Sequence, residues 1–264
     1  MIKVLIVAVN YNSYKELDSY LKTIEEAASG VGKAVVDVTI ADNSSNYIEI
    51  EASKYKHIGV RQVKFDNIGY LGAAQEIINK SYNAYDYVAI SNVDLKIGNS
   101  FFQELCGIKQ DDTIAWIAPC IYSHDENRDR NPKVLERYSK KKLQLIYYMY
   151  KFPILFYLYT ATAYKRKKTT PHYDEMDIYA GHGSFMLLTR SFFRKYDKIE
   201  YPIFLFGEEL YLAELVRKEG MRVSYMPNLK VEDNEHVSTS KMKKKFYFKC
   251  NTESIKYILE TFYE

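Results

Sequence analysis

Short strand-like runs at 3–9, 34–40, 59–65 and 88–90, apolar throughout at 88–90 and nearly so at 3–9, each stop at a polar turn. The turns read Asn10-Tyr11-Asn12, Asp42-Asn43-Ser44-Ser45, Asp66-Asn67-Ile68-Gly69 and Ser91-Asn92-Val93-Asp94. Unbroken apolar runs of this length predict strands covered on both faces, as in a parallel sheet. Between them the spacing changes to that of a helix. Leu17, Tyr20, Leu21 and Ile24 share one face after Ser13, a candidate cap, and Gly30 and Gly32 end the stretch. Ala73, Ala74, Ile77 and Ile78 make a second packing face over about 72–81. A short helix at 101–105 and a strand at 114–119 follow. The alternation predicts an α/β fold, with a mostly parallel sheet between two helical layers. In such sheets ligands bind beyond the carboxyl ends of the strands, where these polar turns converge.

The pattern changes abruptly at about residue 128 and again near 171. From Arg137 to Lys168 there is no acidic residue, and an aromatic stretch, LQLIYYMYKFPILFYLYTATAY, lies between Lys140-Lys141-Lys142 and Lys165-Arg166-Lys167-Lys168. About 20 apolar residues are needed to span a bilayer. Gln144, Lys151 and Pro153 interrupt this stretch, and its dominant residue, Tyr, prefers the headgroup zone. One or two helices lying on a membrane surface fit it, as does a helical subdomain or oligomer interface that buries the aromatics in protein; a true span fits least. A second basic amphipathic stretch, 241–263, reads either as another surface helix or as a helix packed on the core.

After the insertion the chain reads AGHGSFMLL, with Gly181 and Gly183 allowing close backbone approach or a tight bend. Residues 185–188 form a strand. The segment IFLFGEELYLAELVRKEG turns at Gly207 and starts a helix at Glu208-Glu209. Carboxylates in a first helical turn suit the macrodipole without any catalytic duty. A strand at 222–225, a turn at Met226-Pro227 and a run from Val231 to His236 follow, ahead of the 241–263 stretch.

Composition narrows the class. With 47% hydrophobic and 27% charged residues, 264 residues hold a packed core. A net charge of +3 argues against a general nucleic-acid binder. The three cysteines, Cys106, Cys120 and Cys250, have neither zinc-site nor disulfide-framework spacing and suit a reducing cytoplasm. The amino-terminal apolar run is too short for a secretory leader and reads as the first strand.

Two features suggest chemistry. Asp94 sets a carboxylate at a strand end, as a turn residue, a cap or a hard-cation ligand. His236, on a later loop, can complete a divalent-cation site with it.

Taken in order, the runs VNYN, ADNSS, DNIGYLGA, SNVD, GHGSFMLLTR and FLFGEE and the late His resemble glycosyltransferase family 2, more narrowly its rhamnosyltransferase-like branch. The resemblance covers about residues 2–240 apart from the aromatic insertion. It implies a GT-A fold over 1–240, with a nucleotide-binding half at 1–100, a helical insertion at 128–171, a catalytic and acceptor half at 172–240, and a terminal helix at 241–264. It further implies a nucleotide-diphosphosugar donor (UDP- or dTDP-linked), a divalent cation (Mg²⁺ or Mn²⁺) and inversion at the anomeric carbon.

By position, Asn10, Tyr11 and Asn12 border the nucleotide, and Asp42 bonds the base or ribose. Asn67, Gly69, Asn92, Gly181 and Gly183 flank the donor. Asp94 and His236 serve the metal, and Glu208 or Glu209 acts as general base. Two departures stand out. Asn92 replaces the first carboxylate of a DxD element, and Glu209 stands where the family has Asp. The implied acceptor is a glycan, carried on lipid, for surface polysaccharide at the inner face of the cell membrane. A catalytically silent donor-binding scaffold is the alternative. A nucleotidyltransferase needs a Gly-rich turn after the first strand, which NYNSYKEL lacks.

Overall fold

A computed structural model describes residues 1–162, 173–233 and 243–263. The expected strands form as β1 (Ile2–Asn10), β2 (Ala34–Asp42), β3 (Gly59–Lys64) and β4 (Tyr87–Asn92), all parallel. Alternation along β1 explains its unbroken apolarity. Leu5, Val7 and Val9 enter one core, and Val4, Ile6 and Ala8 the other. The first core lies under α2 (Tyr70–Ser81), and the second under α1 (Tyr14–Ala28) and α3 (Phe101–Gly107). Leu17, Tyr20, Leu21 and Ile24 are the buried face of α1, as their spacing predicts. Ser13 stands at the N-cap of that helix, its carbonyl accepting the Leu17 N–H at 2.9 Å, but its side chain makes no cap bond; its hydroxyl donates to the Tyr11 carbonyl, while its N–H donates to Asn10 Oδ1.

The remaining strands are β5 (Leu95–Ile97), β6 (Ile114–Ser123), β7 (Arg128–Asp129), β8 (Met176–Ile178), β9 (Phe185–Thr189) and β10 (Arg222–Asp233). They extend the sheet in the order β3-β2-β1-β4-β9-β6-β10-β5. β9 lies antiparallel between β4 and β6. β10 runs parallel to β6 and antiparallel to β5 and β8. Met226-Pro227 is not a turn that ends a strand. β10 continues through it, its pairing with β6 jumping from Met226 to Lys230. Proline lacks an N–H for the ladder, so the bulge takes it without losing a bond. β5 directly follows Asp94 and pairs Leu95 with Asp233, so Asp94 sits at a strand-to-strand corner.

Short α6 (Arg190–Phe193) follows β9. The aromatic insertion becomes α4 (Lys140–Lys151) and α5 (Pro153–Thr162), divided at Pro153. Ser139 caps α4 by accepting from the Lys142 N–H at 3.2 Å. The last two helices are α7 (Glu208–Lys218) and α8 (Lys244–Phe262), and α8 packs against both α4 and α7. Arg137, at the entry to the insertion, reaches Glu214 of α7 at 2.6 Å and stacks 3.8 Å from the Tyr263 ring. Among the described residues no helix is long and apolar enough to cross a membrane.

Candidate active site

The carboxyl ends of β1 and β4, the loop before α2, the loop before β9 and the start of α7 enclose a cavity of about 850 Å³. Tyr11, Asn67, Gly69, Tyr70, Asn92 and Asp94 line one part of it, and Gly183, Glu208 and Glu209 another. A volume of this order suits a sizeable small-molecule ligand.

The first wall is built by hydrogen bonds behind it. Asp42 is completely buried and accepts from Asn10 Nδ2 (3.3 Å), Tyr14 Oη (2.8 Å), Gln62 Nε2 (2.6 Å) and the Ser44 N–H (3.0 Å). Asn10, equally buried, also donates to Ser44 Oγ. These two side chains hold the turns after β1 and β2 together and are not among the cavity-lining residues. Asn12, at φ 54°, donates its N–H to Ser44 Oγ at 2.8 Å and so lets Tyr11 project outward, 48% exposed. Asn43 clamps the next turn, donating to the Gly69 carbonyl and accepting from the Ile68 N–H. Gly69 adopts φ 91°, and a Cβ there would lie 2.1 Å from the Phe204 carbonyl oxygen. Only glycine allows α2 to start so close to the 201–206 loop.

On the other wall Glu208 and Glu209 begin α7, but their surroundings differ. Glu208 is 5% exposed, and its Oε1 accepts the Phe206 N–H at 2.9 Å. Burial, reinforced by the Glu209 charge, pushes its pKa up to about 8. Glu208 is therefore mainly uncharged at neutral pH. Glu209 is more open, and its Oε2 approaches Gly183, where a Cβ would stand only 3.3 Å away. The turn that aims the pair is strained: Phe206 has φ 72°, and Gly207 follows at φ 79° against Ser254 Oγ and Tyr201 Oη. Gly181 faces Trp116 and Ala118 instead of the cavity, and is a packing glycine.

His182 lines the cavity between these two glycines. Its Nδ1 accepts the Ser184 N–H at 3.2 Å. A backbone N–H can only donate, so the neutral ring carries its proton on Nε2. Burial, with Lys133, Arg130 and Arg128 nearby, drives its pKa well below the usual histidine value. His182 is thus an uncharged N–H donor at neutral pH. Lys133 and Lys243 supply positive charge to the same cavity, and Phe246 and Phe204 add apolar surface.

Asp94 is the cation candidate. Burial and the nearby Asp233 carboxylate raise its pKa, while Asn92 hydrogen-bonds to it. Asp233 is itself buried and paired with Arg130. Asp94 and Asn92 line the cavity with oxygen-bearing side chains, the ligand type that Mg²⁺ or Mn²⁺ takes, and a cation there would need further oxygens drawn from a ligand. Among the described residues no group of three or more His, Cys, Asp or Glu side chains converges on a metal position. His236 lies outside the described residues.

Sequence reasoning missed His182, although it lies within the motif that drew attention to Gly181 and Gly183. It also missed Tyr70, whose hydroxyl donates to the Gly183 carbonyl at 3.0 Å and ties the two walls together. Lys133, Lys243 and Phe246 carry no local signal, because long-range packing alone delivers them.

No family model matches the chain, and no curated protein matches it. Solved structures do. The crystal structure of GalNAc-T7 with UDP, GalNAc and Mn²⁺ superposes with a TM-score of 0.60 at 13% identity, over 98% of this chain and 48% of that one. S. aureus TarS 1-349 in complex with UDP-GlcNAc gives 0.59 at 10% identity, over 100% of this chain and 68% of that one. A further S. aureus TarS structure gives 0.56 at 10% identity, over 89% and 37%. The chain spans about half the length of the GalNAc-T7 structure. The fold is GT-A: a mostly parallel α/β sheet flanked by helices.

Proposed function

We propose that this chain is an inverting glycosyltransferase of the family 2 type. It moves a sugar from a UDP- or dTDP-linked donor to a glycan hydroxyl, the glycan being carried on lipid at the inner face of the cell membrane. The observation that carries the reading is one cavity in a GT-A fold. Its strand-end wall bears Tyr11, Asn67, Asn92 and Asp94, and its opposite wall bears an open carboxylate, Glu209.

In this reading Tyr11 stacks on the base, and Asn67 and Asn92 bond the nucleoside and sugar. Lys133 and Lys243 balance the diphosphate charge. His182, through Nε2–H, donates one hydrogen bond to a donor oxygen. Asp42 acts at one remove, by fixing Asn10 and Tyr14. The acceptor oxygen bonds to the anomeric carbon as the bond to the diphosphate oxygen breaks, and that oxygen leaves with the electron pair. Glu209 takes the acceptor proton. Glu208, held neutral, keeps the Phe206 turn in place. Asp94, with His236 as its expected partner, would hold the divalent cation, which when bound offsets charge on the leaving diphosphate.

The test is release of nucleoside diphosphate from a panel of nucleotide-sugars with Mn²⁺ and glycan acceptors. Acceptor-dependent release that Glu209→Gln suppresses is the expected result. Donor binding without release from any member would identify a silent scaffold, and absence of both would overturn the donor-site reading altogether.

A further inference from the structure

Helices α4 and α5 turn apolar side chains away from the protein. Only Leu143 of α4 is fully buried. Ile154 is 74% exposed, and Leu145, Phe152, Leu155 and Leu158 are also exposed. Contiguous apolar surface of this kind marks an interaction site. Lysines surround it: Lys140, Lys141, Lys142 and Lys151 on α4, with Lys244 and Lys245 at the start of α8, all exposed. Several are held against aromatic rings: Lys142 lies 4.1 Å from the Tyr138 ring, Lys151 5.3 Å from Tyr147 and Lys244 5.8 Å from Tyr157. Exposed ammonium groups beside aromatic and apolar side chains are an arrangement that suits a headgroup boundary.

The charge pattern selects the occupant. Residues 137–162 contain no carboxylate. A second copy docking face to face would set lysines against lysines, and two-fold symmetry would repeat the conflict. Helices of 12 and 10 residues reach about 18 and 15 Å, well short of the ~30 Å hydrocarbon core.

We propose that α4, α5 and the first turn of α8 dock on an anionic lipid bilayer. The apolar side chains enter the acyl boundary and the lysines meet headgroup phosphates. The inference deepens the transferase reading and rests on it for the acceptor's place. Lys243 and Phe246, beside this surface, line the cavity. Tyr138 and Tyr150 of the insertion have phenol pKa values raised by burial and also by the charge of Glu209. The cavity that holds Glu209 thus shares Lys243 and Phe246 with the edge of the docked face.

The test is sedimentation of the full chain with phosphatidylcholine vesicles, with and without phosphatidylglycerol, at low and high salt. Binding that requires phosphatidylglycerol and weakens with salt is expected. Replacing Lys140, Lys141 and Lys142 together by Gln should lower partitioning about 100-fold, at roughly fivefold per lysine. Ile154→Asp and Leu158→Asp, both outside the cavity, should abolish binding while donor turnover in solution is kept. The inference is overturned by absence of binding to either vesicle, by equal binding of all variants, or by light scattering that shows Ile154→Asp dissociating a dimer that binds no vesicle. Vesicle binding by a chain that turns over no donor would leave docking standing and sink the transferase reading; turnover without vesicle binding would do the reverse.

Discussion

Exchanging Glu208 for Gln changes a group that the fold keeps uncharged. Burial, with the Glu209 charge added, pushes its pKa up to about 8 from an ordinary 4.5. Between those values the folded chain holds a proton that the unfolded chain has lost. Stability from this group is therefore fully present below about pH 4.5 and lost as pH rises through about 8. Roughly 3.5 decades of proton affinity correspond to about 5 kcal/mol. Gln never ionises and keeps an oxygen for the Phe206 N–H, which Glu208 Oε1 accepts at 2.9 Å. Glu208→Gln is thus expected to match the parent chain near pH 4 and to exceed it near pH 9 by up to about 5 kcal/mol, on the order of 10 °C in Tm. Urea and thermal unfolding followed by circular dichroism across that range measure it. Turnover at neutral pH should change by less than about fivefold, whereas Glu209→Gln should lose about 10²–10⁴-fold with donor affinity kept. Parallel pH–stability curves for parent and Glu208→Gln would refute the buried-acid argument. Equal loss of turnover in the two variants would refute the division of labour.

Asp94→Asn is expected to abolish the Mn²⁺-dependent part of donor binding in calorimetry; unchanged affinity with and without Mn²⁺ would exclude Asp94 from the cation site. Gly69→Ala forces a Cβ to 2.1 Å from the Phe204 carbonyl oxygen, so a loss of at least ~3 kcal/mol in urea unfolding is expected. A smaller loss would mean that the 201–206 loop yields freely. Glu214, with no exposed side-chain surface, is held by Arg137, Arg217 and Tyr179, and Glu214→Ala should cost about 3–5 kcal/mol. A cost below ~1 kcal/mol would show that this network does not anchor the insertion to α7. His182 should show an Nε2–H tautomer and a titration midpoint well below the usual histidine value by nitrogen NMR; a midpoint at or above the usual value would overturn the neutral-donor assignment.

Much of the frame was legible in the chain itself. The runs that became β1 and β4 are apolar on successive residues because both sheet faces are covered there. The helical spacing of Leu17, Tyr20, Leu21 and Ile24 marks the face that α1 buries. Those are local signals, carried by short-range geometry. β5 was not legible, since a three-residue strand leaves no period to read. The bulge in β10 was read as a turn because Met226-Pro227 has the same local chemistry in either setting.

The site divides along the same line. Polar turns at strand ends, Asp94 and the Glu208-Glu209 pair stand out as residues, and the sheet brings them to one cavity by parallel register. Their states were decided only by the fold. Two adjacent glutamates on the cavity differ because one is buried and bonded to the Phe206 N–H while the other is more open. Asp42 looks like a ligand carboxylate, yet Tyr14 and Gln62 occupy it from residues 28 and 20 positions away. Lys133, His182, Lys243 and Phe246 share a cavity although they span over a hundred residues of sequence. Sequence by itself determined most of the strands and helices and which residues can do chemistry, because periodicity and residue type are local. The tertiary structure alone decided which carboxylate is neutral, which polar groups are already satisfied and which cations complete the site, because burial and charge depend on neighbours that only folding supplies.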